Sequence, residues 1–422
     1  MDLENNLSQP LVENDGLAVA RRSDHGALEQ DVCVGINDEG YKRKVPTLVF
    51  IVVPMIGLVV ILFIAVIFMP PTQLPTTPNN KKKIRVFVLA GQSNMVGHGY
   101  VSKKDEAGKE LNGTLESLIS MHPDQFGMLK SKNSVDDKTS LLSSGEHDVT
   151  TTSSWTVRTD VLIACNHQSF DDPKDEKTPK MYGNLYAGMC GGDEPHQNHM
   201  GPELGFGWSV ADALNTNKTE DDKILLAKIA WGGKSLEDDF RPPSSGGSTG
   251  PYYTTMIHDI KAFLANVDTY FPEEHGRSVV LSGFAWHQGW NDLINSTAAA
   301  DYEKNLANFI RDVRKDLNVS DLPIAIASSG MANQTNERVE EVVHAEMNVA
   351  KYPEFNGTVT SVDTRGFRRK PPPASPGNQI YHWYNNCESY WLIGKSLGIA
   401  MVDLVHRRDI SPSHHMSGTT SS

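Results

Sequence analysis

Strand-like and helix-like apolar segments alternate along the chain from residue 84 onward. Short runs rich in Val, Ile, Leu and Phe predict strands at 84–91, 224–230, 278–286, 322–327 and 358–362. Apolar residues at helical spacing predict helices at 201–214, 257–267, 302–317 and about 388–405. This alternation predicts an α/β fold, with a central parallel sheet, helices on both of its faces, and sites at the carboxyl ends of its strands.

An uncharged run of about 24 residues, 46–69, precedes the alternating region. Such a run is long enough to cross a hydrocarbon layer of ~30 Å as a helix. Lys42, Arg43 and Lys44 lie at its upstream edge, and positive charge next to a span favours the cytosolic side. We therefore expect a single-pass type II membrane protein with one N-terminal transmembrane helix as its signal anchor.

Composition divides the rest of the chain. Residues 1–45 are polar and lack periodicity, which predicts a disordered cytosolic tail, and the Pro- and Thr-rich residues 70–83 predict a stem. The globular domain is expected at 84–406, followed by a disordered tail at 407–422. Within the domain, the polar stretch at about 100–154 predicts a long surface insertion, which we expect to be disordered.

Two features concern the compartment. Cys33 would face the cytosol, and among the other three cysteines we expect a Cys165–Cys190 pair with Cys387 left over, although sequence alone does not fix the connectivity. N-x-S/T sequons predict a glycoprotein whose large part lies in the lumen of the secretory route, including the Golgi, or outside the cell. They begin at Asn112, Asn217, Asn295, Asn318, Asn333 and Asn356. The net charge of −13 argues against a nucleic-acid partner.

The first predicted strand ends at a glycine and is followed at once by Ser93. A serine on a strand-to-helix turn can stand clear of the sheet as a nucleophile, or can simply cap the helix. Gly232 and Gly233 follow the second predicted strand, and Asn291 follows the third. These groups can direct hydrogen-bond donors at the same crevice, although a tight turn or a helix cap would also explain them. His382, shortly before the last helix, is a candidate base.

Three motifs together resemble a known family: Gly-Gln-Ser-Asn-Met at 91–95, His-Gln-Gly-Trp-Asn-Asp at 287–292, and the late His382. They resemble the SGNH/GDSL-type hydrolases, in the carbohydrate esterase branch that includes sialate O-acetylesterase-like and acetylxylan-esterase-like proteins. The resemblance spans about residues 84–405 and implies the flavodoxin-like, three-layer SGNH-hydrolase fold. It also implies that no metal or organic cofactor is needed.

The same resemblance implies roles for individual residues. Ser93 would be the nucleophile and His382 the base. The oxyanion hole would consist of the Ser93 N–H, a glycine N–H and the Asn291 side chain, with the glycine being Gly233 or its neighbour Gly232. Further candidates for substrate contact or for support of these groups are Gln92, Asn94, Gln288, Gln379 and Arg241.

The chain departs from the family pattern at two positions. Most relatives have an Asp three residues before the His, where this chain has Gln379, and many have a Glu where Trp290 stands. A neutral amide can orient an imidazole but cannot stabilise its charged form. The sequence therefore leaves open a Ser–His dyad, a backbone carbonyl in place of the acid, or a carboxylate from elsewhere, with Asp363 and Glu388 as the nearby candidates.

Two weaker patterns complete the candidates. Residues 238–253 combine turn residues with Arg241 and aromatic side chains, which suits either a sugar-binding rim or an ordered surface loop. Cys190, His196 and His199 match no strong zinc spacing, so no metal is expected. The sequence thus predicts an esterase that removes O-acetyl groups from glycans or polysaccharides through an acetyl-serine intermediate. The alternatives are acetyl transfer to a glycan and a catalytically weak glycan-binding membrane protein.

Overall fold

A computed structural model describes residues 82–131, 155–165, 181–192, 198–214, 222–331 and 337–410. All of them belong to a compact unit that begins at Thr77. Within these ranges, no helix has both the length and the apolar character that a membrane crossing requires. Several predicted segments lie outside the described residues: the transmembrane run at 46–69, Cys33, stem residues 70–81, and both tails except for residues 407–410. The last two stem residues are described, and Lys83 belongs to the first strand of the domain.

The described residues contain nine strands and ten α-helices. The strands are β1 Lys83–Gly91, β2 Gly99–Tyr100, β3 Arg158–Cys165, β4 Met181–Leu185, β5 His199–Met200, β6 Asp222–Ala230, β7 Ser278–His287, β8 Ile324–Ala327 and β9 Val359–Val362. The helices are α1 Ser93–Val96, α2 Leu115–Met121, α3 Pro123–Phe126, α4 Glu203–Leu214, α5 Pro251–Ala265, α6 Val267–Tyr270, α7 Trp290–Leu293, α8 Ser296–Asp316, α9 Glu337–Val349 and α10 Cys387–Ile410.

Seven of the strands form one sheet in the order β4-β3-β6-β1-β7-β8-β9, and β2 pairs with β5 in a separate ribbon. Every neighbouring pair in the large sheet is parallel except β3 with β4. The predicted α/β fold with a central, mostly parallel sheet is therefore confirmed. The expectation of a wholly parallel sheet is wrong at one edge, where Met181–Leu185 returns antiparallel to β3.

Helices cover both faces of the sheet. Neighbouring residues of a strand point to opposite faces of the sheet, so Gly283 and Phe284 of β7 face different helix layers. A Cβ at Gly283 would lie 2.2 Å from the sulfur of Met401 in α10, whereas the ring of Phe284 packs 6.0 Å from that of Phe309 in α8. The central strand β1 is buried between these layers, and its residues 86–90 have no exposed surface.

Helices α4 and α10 approach each other closely on one face. A Cβ at Gly394 would lie 2.0 Å from the backbone oxygen of Pro202, and one at Gly205 would lie 2.4 Å from that of Trp391. Because no side chain larger than hydrogen fits at these points, the two helix backbones pack directly against each other.

The prediction of a disordered insertion at about 100–154 is wrong for residues 100–131, and residues 132–154 lie outside the described ranges. This part folds because its few apolar side chains are buried: Leu115, Leu118 and Phe126 are at most 3% exposed. Thr114 caps α2 by accepting a hydrogen bond from the Ser117 N–H. The prediction failed because the polar composition of this stretch gives little indication of its small apolar cluster.

The disulfide prediction is confirmed. Cys165, at the end of β3, is bonded to Cys190, with their Cα atoms 6.1 Å apart. Cys190 is therefore not available as a thiolate metal ligand. Cys387 is a free, buried thiol that donates a hydrogen bond to the backbone oxygen of Tyr100.

Candidate active site

Three strand ends lie level at one edge of the sheet. The register places Gly91, the last residue of β1, beside Ala230 of β6 and His287 of β7. Residues that follow these three strands therefore meet at the same edge. Ser93 follows β1, Gly233 follows β6 and Asn291 follows β7, so the structure brings these three candidates to one place.

The close approach of β1 to β7 requires a glycine at residue 91. Gly91 has a φ of 151°, and a Cβ there would lie 2.1 Å from the backbone oxygen of His287. The next N–H, from Gln92, donates to that same oxygen at 3.2 Å, while the Trp231 N–H donates to Gly91 O at 3.2 Å. Ser93 then begins the single-turn helix α1 with 8% of its surface exposed. Its backbone N–H is among the first of a helix, which have no partner within the helix.

The Gln92 side chain links the end of β1 to the loop after β7. Its Oε1 accepts hydrogen bonds from Gln288 Nε2 at 3.2 Å and from the Gly289 N–H at 3.1 Å. Its Nε2 donates to Asn291 Oδ1 at 3.3 Å. Gln92 is 1% exposed, so its side chain fixes the Asn291 amide from within the protein.

The Asn291 amide points across to the end of β6. With Oδ1 held by Gln92, its Nδ2 donates to the backbone oxygen of Gly233 at 2.7 Å. An amide nitrogen carries two hydrogens, so this bond uses one of them, and the second has no acceptor among the described residues. Gly233 has a φ of 67° in open space, a conformation that suits glycine. Of the two glycines that the sequence offers, Gly233 is the one bonded to Asn291.

Buried polar groups hold the residues that follow β7 in place. Asp292 is fully buried and accepts hydrogen bonds from the Leu236 and Glu237 N–H groups and from Gln288 Nε2. Burial raises the pKa of Asp292 to about 7, although these hydrogen bonds act in the opposite direction. Tyr302 donates to Gln288 Oε1 at 2.9 Å. Gln288 therefore acts inside this network and is not a surface group.

His382 lies in the turn Ile380–Asn385, whose last three residues have left-handed backbone conformations. Trp383, Tyr384 and Asn385 have φ values of 52°, 56° and 58°, which non-glycine residues rarely adopt. Such a turn persists only where its surroundings stabilise it. Trp383 is completely buried, and Asn385 Nδ2 donates to the backbone oxygen of His98 at 2.9 Å.

Asn94 ties this turn to the helix that carries Ser93. Its Nδ2 donates to the backbone oxygen of Tyr381 at 2.9 Å, and its Oδ1 accepts from the Tyr390 hydroxyl at 2.9 Å. The same hydroxyl lies 3.3 Å from the backbone oxygen of His382. Asn94 and Tyr381 are the sequence neighbours of Ser93 and His382, so the predicted nucleophile and base lie on segments that bind each other directly.

The His382 ring has an imidazole neighbour instead of a carboxylate. It stacks on the His98 ring with 3.8 Å between centroids and 7° between planes. Burial, and then the nearby His98 and His199, lower the pKa of His382 to about 3. Its Nδ1 is buried without a hydrogen-bond partner among the described residues. Nor does any hydrogen bond within the described ranges join the ring to Ser93.

Among the described contacts, the His382 ring meets neither Gln379, which stands where most relatives have the acid, nor the candidate carboxylates Asp363 and Glu388. Gln379 donates through Nε2 to the Tyr381 hydroxyl at 3.0 Å. The other two are carboxylates in ion pairs: one is Asp363 with Arg365 at 2.7 Å, and the other is Glu388 with Arg369 at 2.6 Å. Both arginines lower the pKa of their carboxyl partners.

Arg241 is engaged within its own loop. Its guanidinium donates to the Gly246 and Ser245 carbonyls and pairs with Glu237 at 2.6 Å. The segment 238–253 is thus an ordered loop that Arg241 stabilises. Its aromatic member Tyr252 packs 5.3 Å from the ring of Trp231, beside Gly232 and Gly233.

Sequence reasoning missed His98 and Glu346. His98 lies five residues after Ser93, just beyond the Gly-Gln-Ser-Asn-Met motif, but nothing in the sequence indicates which ring it contacts. Glu346 is fully buried on α9, where it accepts hydrogen bonds from the N–H and the hydroxyl of Ser329 at the end of β8. Burial raises the pKa of Glu346 well above its usual value.

Comparisons with solved structures give matches of low identity. A protein from Arabidopsis thaliana is 17% identical, covers 76% of this chain and 98% of its own, and has a TM-score of 0.44. A carbohydrate acetylesterase from Xanthomonas citri is 13% identical over 75% of this chain and 55% of its own, with a TM-score of 0.40. NanS is 14% identical over 70% and 83%, with a TM-score of 0.39. No curated protein sequence matches.

A family model gives the more specific match. The model of the carbohydrate esterase, sialic acid-specific acetylesterase family matches residues 177–373. This range includes Gly233, Gln288 and Asn291, whereas Ser93 and His382 lie outside it. The resemblance to carbohydrate esterases of the sialate O-acetylesterase type, indicated by the sequence motifs, is thus confirmed by a family match over residues 177–373.

Proposed function

We propose that the protein is a serine-dependent carbohydrate O-acetylesterase. The Ser93 hydroxyl attacks the carbonyl carbon of an acetyl ester on a sugar and passes its proton to His382. The tetrahedral intermediate collapses, its bond to the sugar oxygen breaks, and His382 returns the proton to that oxygen. A sugar hydroxyl leaves and acetyl-Ser93 remains.

Water then completes the cycle. It attacks the acetyl-serine carbonyl while His382 accepts a proton, and the proton returns to Ser93 as acetate leaves. In both steps negative charge develops on the carbonyl oxygen. The Ser93 N–H, the Gly233 N–H and the free hydrogen of Asn291 Nδ2 are the groups proposed to bind it.

One observation carries this proposal: the ends of β1, β6 and β7 lie level and are hydrogen-bonded through Gln92 and Asn291. This arrangement supports a site in which Ser93 lies beside amide donors that are held by the protein's own hydrogen bonds. Preorganised donors are what stabilisation of an oxyanion requires. The family match supports an acetylated carbohydrate as the chemical class of the substrate.

Two measurements on the full-length protein in detergent test the proposal. Acetate release is followed with acetylated polysaccharides and with acetylated sialic acid, and a fluorophosphonate probe is located by mass spectrometry. We expect acetate release and probe attachment at Ser93. Acetate release without labelling of Ser93 would contradict the serine mechanism. Labelling with acetate transferred only to added sugar acceptors would favour an acetyltransferase.

Asn291→Ala is expected to lower kcat roughly 10²- to 10³-fold with little change in KM, because an oxyanion donor acts mainly in the transition state. Acetate release at several substrate concentrations measures both constants. Asn348→Ala, at a half-buried position on α9 away from these strand ends, is the matched control and should leave both constants unchanged. A rise in KM with unchanged kcat in Asn291→Ala would assign the residue to substrate binding instead.

The proposed location of this activity is the luminal or outer side of a membrane, with residues 46–69 as a type II anchor. In support, all four sequon asparagines within the described residues are exposed: Asn112, Asn295, Asn318 and Asn356. We expect that N-glycosidase treatment lowers the mass of the protein produced in secretory cells. Asn356→Gln should remove one glycan, while Asn348→Gln, outside any sequon, should remove none. An unchanged mass would contradict this location.

A further inference from the structure

Among the described residues, His382 has no carboxylate partner of the kind that orients the histidine of a Ser-His-Asp triad. The described contacts of the His382 ring are with other rings. His98 stacks on it at 3.8 Å, and Tyr381 packs at an angle of 70° with 4.6 Å between centroids. An imidazole that is free to rotate about its side-chain bonds would seldom point at the nucleophile.

We propose that His98 is a positioning residue for the base: its imidazole, stacked face to face on that of His382, holds that ring in the orientation needed to accept the Ser93 proton. This inference rests on the proposed esterase function. A parallel ring contact restricts rotation through van der Waals packing over the whole ring face. In a Ser-His-Asp triad, the carboxylate both orients the histidine ring and stabilises its protonated form. Stacking on His98 would supply the orientation but not the stabilisation of charge.

The backbone of His98 is well placed for this task. Gly97, just before it, packs so closely that a Cβ would lie 2.3 Å from Gly201 Cα. The carbonyl of His98 accepts the hydrogen bond from Asn385, at the far end of the turn that carries His382. His98 thus contacts the base segment twice, through its ring and through its backbone.

Nucleophile and stacking partner also come from one short segment. Ser93 begins α1, and His98 lies two residues after the end of that helix. Any displacement of this segment moves Ser93 and His98 together, and the stacked His382 ring with them. Because one segment carries both the nucleophile and the ring that stacks on His382, the position of His382 relative to Ser93 depends on this segment.

Among the described residues, the titratable groups around His382 come from four segments of the chain. His98 follows α1, His199 lies on β5, Tyr381 lies in the same turn, and the Tyr390 hydroxyl of α10 is 3.3 Å from the His382 carbonyl. Both histidines act to lower the pKa of His382. Replacing His98 with an uncharged residue should therefore raise the pKa that governs the acid side of the activity profile.

The test compares His98→Ala, which removes the ring, with His98→Phe, which keeps a flat ring that cannot take up a proton. Kinetic constants for acetate release are measured with the full-length protein between about pH 4 and pH 8, beside thermal unfolding. His344→Ala, whose side chain is 66% exposed, is the control. We expect a roughly 10- to 100-fold lower kcat in His98→Ala, little change in KM, and most of kcat restored in His98→Phe. In both variants the acid limb should move to higher pH.

Three outcomes would overturn this inference. The first is wild-type kcat in His98→Ala, which would overturn the positioning role alone. The second is a His98→Phe variant that unfolds like wild type but is as inactive as His98→Ala. The third is absence of acetate release by the wild-type protein, which would overturn the proposed function as well.

If His98→Ala does not fold, His98→Gln, which is polar but has no ring, takes its place in the comparison.

Discussion

Ser93→Ala is expected to lower kcat/KM for acetate release by roughly 10⁴-fold, about 5 kcal/mol of transition-state stabilisation. The alanine removes the only atom proposed to bond to the acetyl carbon. Gly91, Gln92 and the end of β7 should stay in place, because their hydrogen bonds do not involve the serine hydroxyl. Binding of an acetylated sugar, measured by calorimetry, should therefore survive while turnover is lost.

Ser282→Ala provides the matched control. Ser282 is a fully buried serine of β7 that donates to the backbone oxygen of Val280 in its own strand. Its loss should cost about 1 kcal/mol of stability and leave kcat/KM at the wild-type value. A Ser93→Ala variant that retains turnover would contradict the acetyl-serine intermediate. Equal losses of activity in both variants would indicate damage to the sheet and not to the chemistry.

The convergence of Ser93, Gly233 and Asn291 could be predicted from the sequence because it follows from a general property of parallel sheets. The strands that precede these residues are apolar runs with clear ends, and the carboxyl ends of such strands share one edge. The predicted strand at 278–286 and the observed Ser278–His287 differ by one residue. Spacing and strand type thus suffice to place these groups together.

The arrangement around His382 could not be predicted, because it opposes local preference. Trp383 and Tyr384 would not adopt a left-handed backbone as isolated residues. Contacts made by residues almost 300 positions away, from Asn94 to Tyr381 and from Asn385 to His98, hold the turn in place. Local sequence patterns carry no information about such long-range pairs.

The same limit applies to the ordered part of the insertion. Leu115, Leu118 and Phe126 are too few to give a strong periodic signal among polar residues. They fold because the domain offers an apolar surface on which Phe126 packs against the ring of Trp391, with 6.1 Å between centroids. Composition predicts disorder where tertiary contacts supply the missing stability.

A buried ion pair beneath α1 supports the short helix that begins at Ser93. Lys228 of β6 is fully buried, and its Nζ lies 2.7 Å from Glu203 Oε2, 2.7 Å from Val96 O and 2.6 Å from Cys190 O. Burial lowers the pKa of Lys228, whereas Glu203 acts to raise it. An ammonium has three hydrogens, and here each has an acceptor, which identifies the charged form. Lys228 thereby joins the end of the Ser93 helix to the disulfide.

Lys228→Met is therefore expected to lower the free energy of unfolding by about 3–5 kcal/mol, because it leaves Glu203 buried without its counter-charge. Urea unfolding at neutral pH measures the loss. Lys223→Met, on the same strand, is the control: its pair with Glu274 spans 3.7 Å at a side chain that is 24% exposed, and its loss should cost about 0–1 kcal/mol. Equal losses in the two variants would contradict the special role of the buried pair.

The double variant Lys228→Met/Glu203→Gln gives a sharper test. Without Lys228, the Glu203 carboxylate stays buried without a counter-charge, so its replacement by an uncharged amide should restore part of the lost stability. We therefore expect the double variant to be more stable than Lys228→Met in urea unfolding at neutral pH. If the two variants are equally stable, the cost is that of the lost hydrogen bonds to the Val96 and Cys190 carbonyls and not of an unpaired carboxylate.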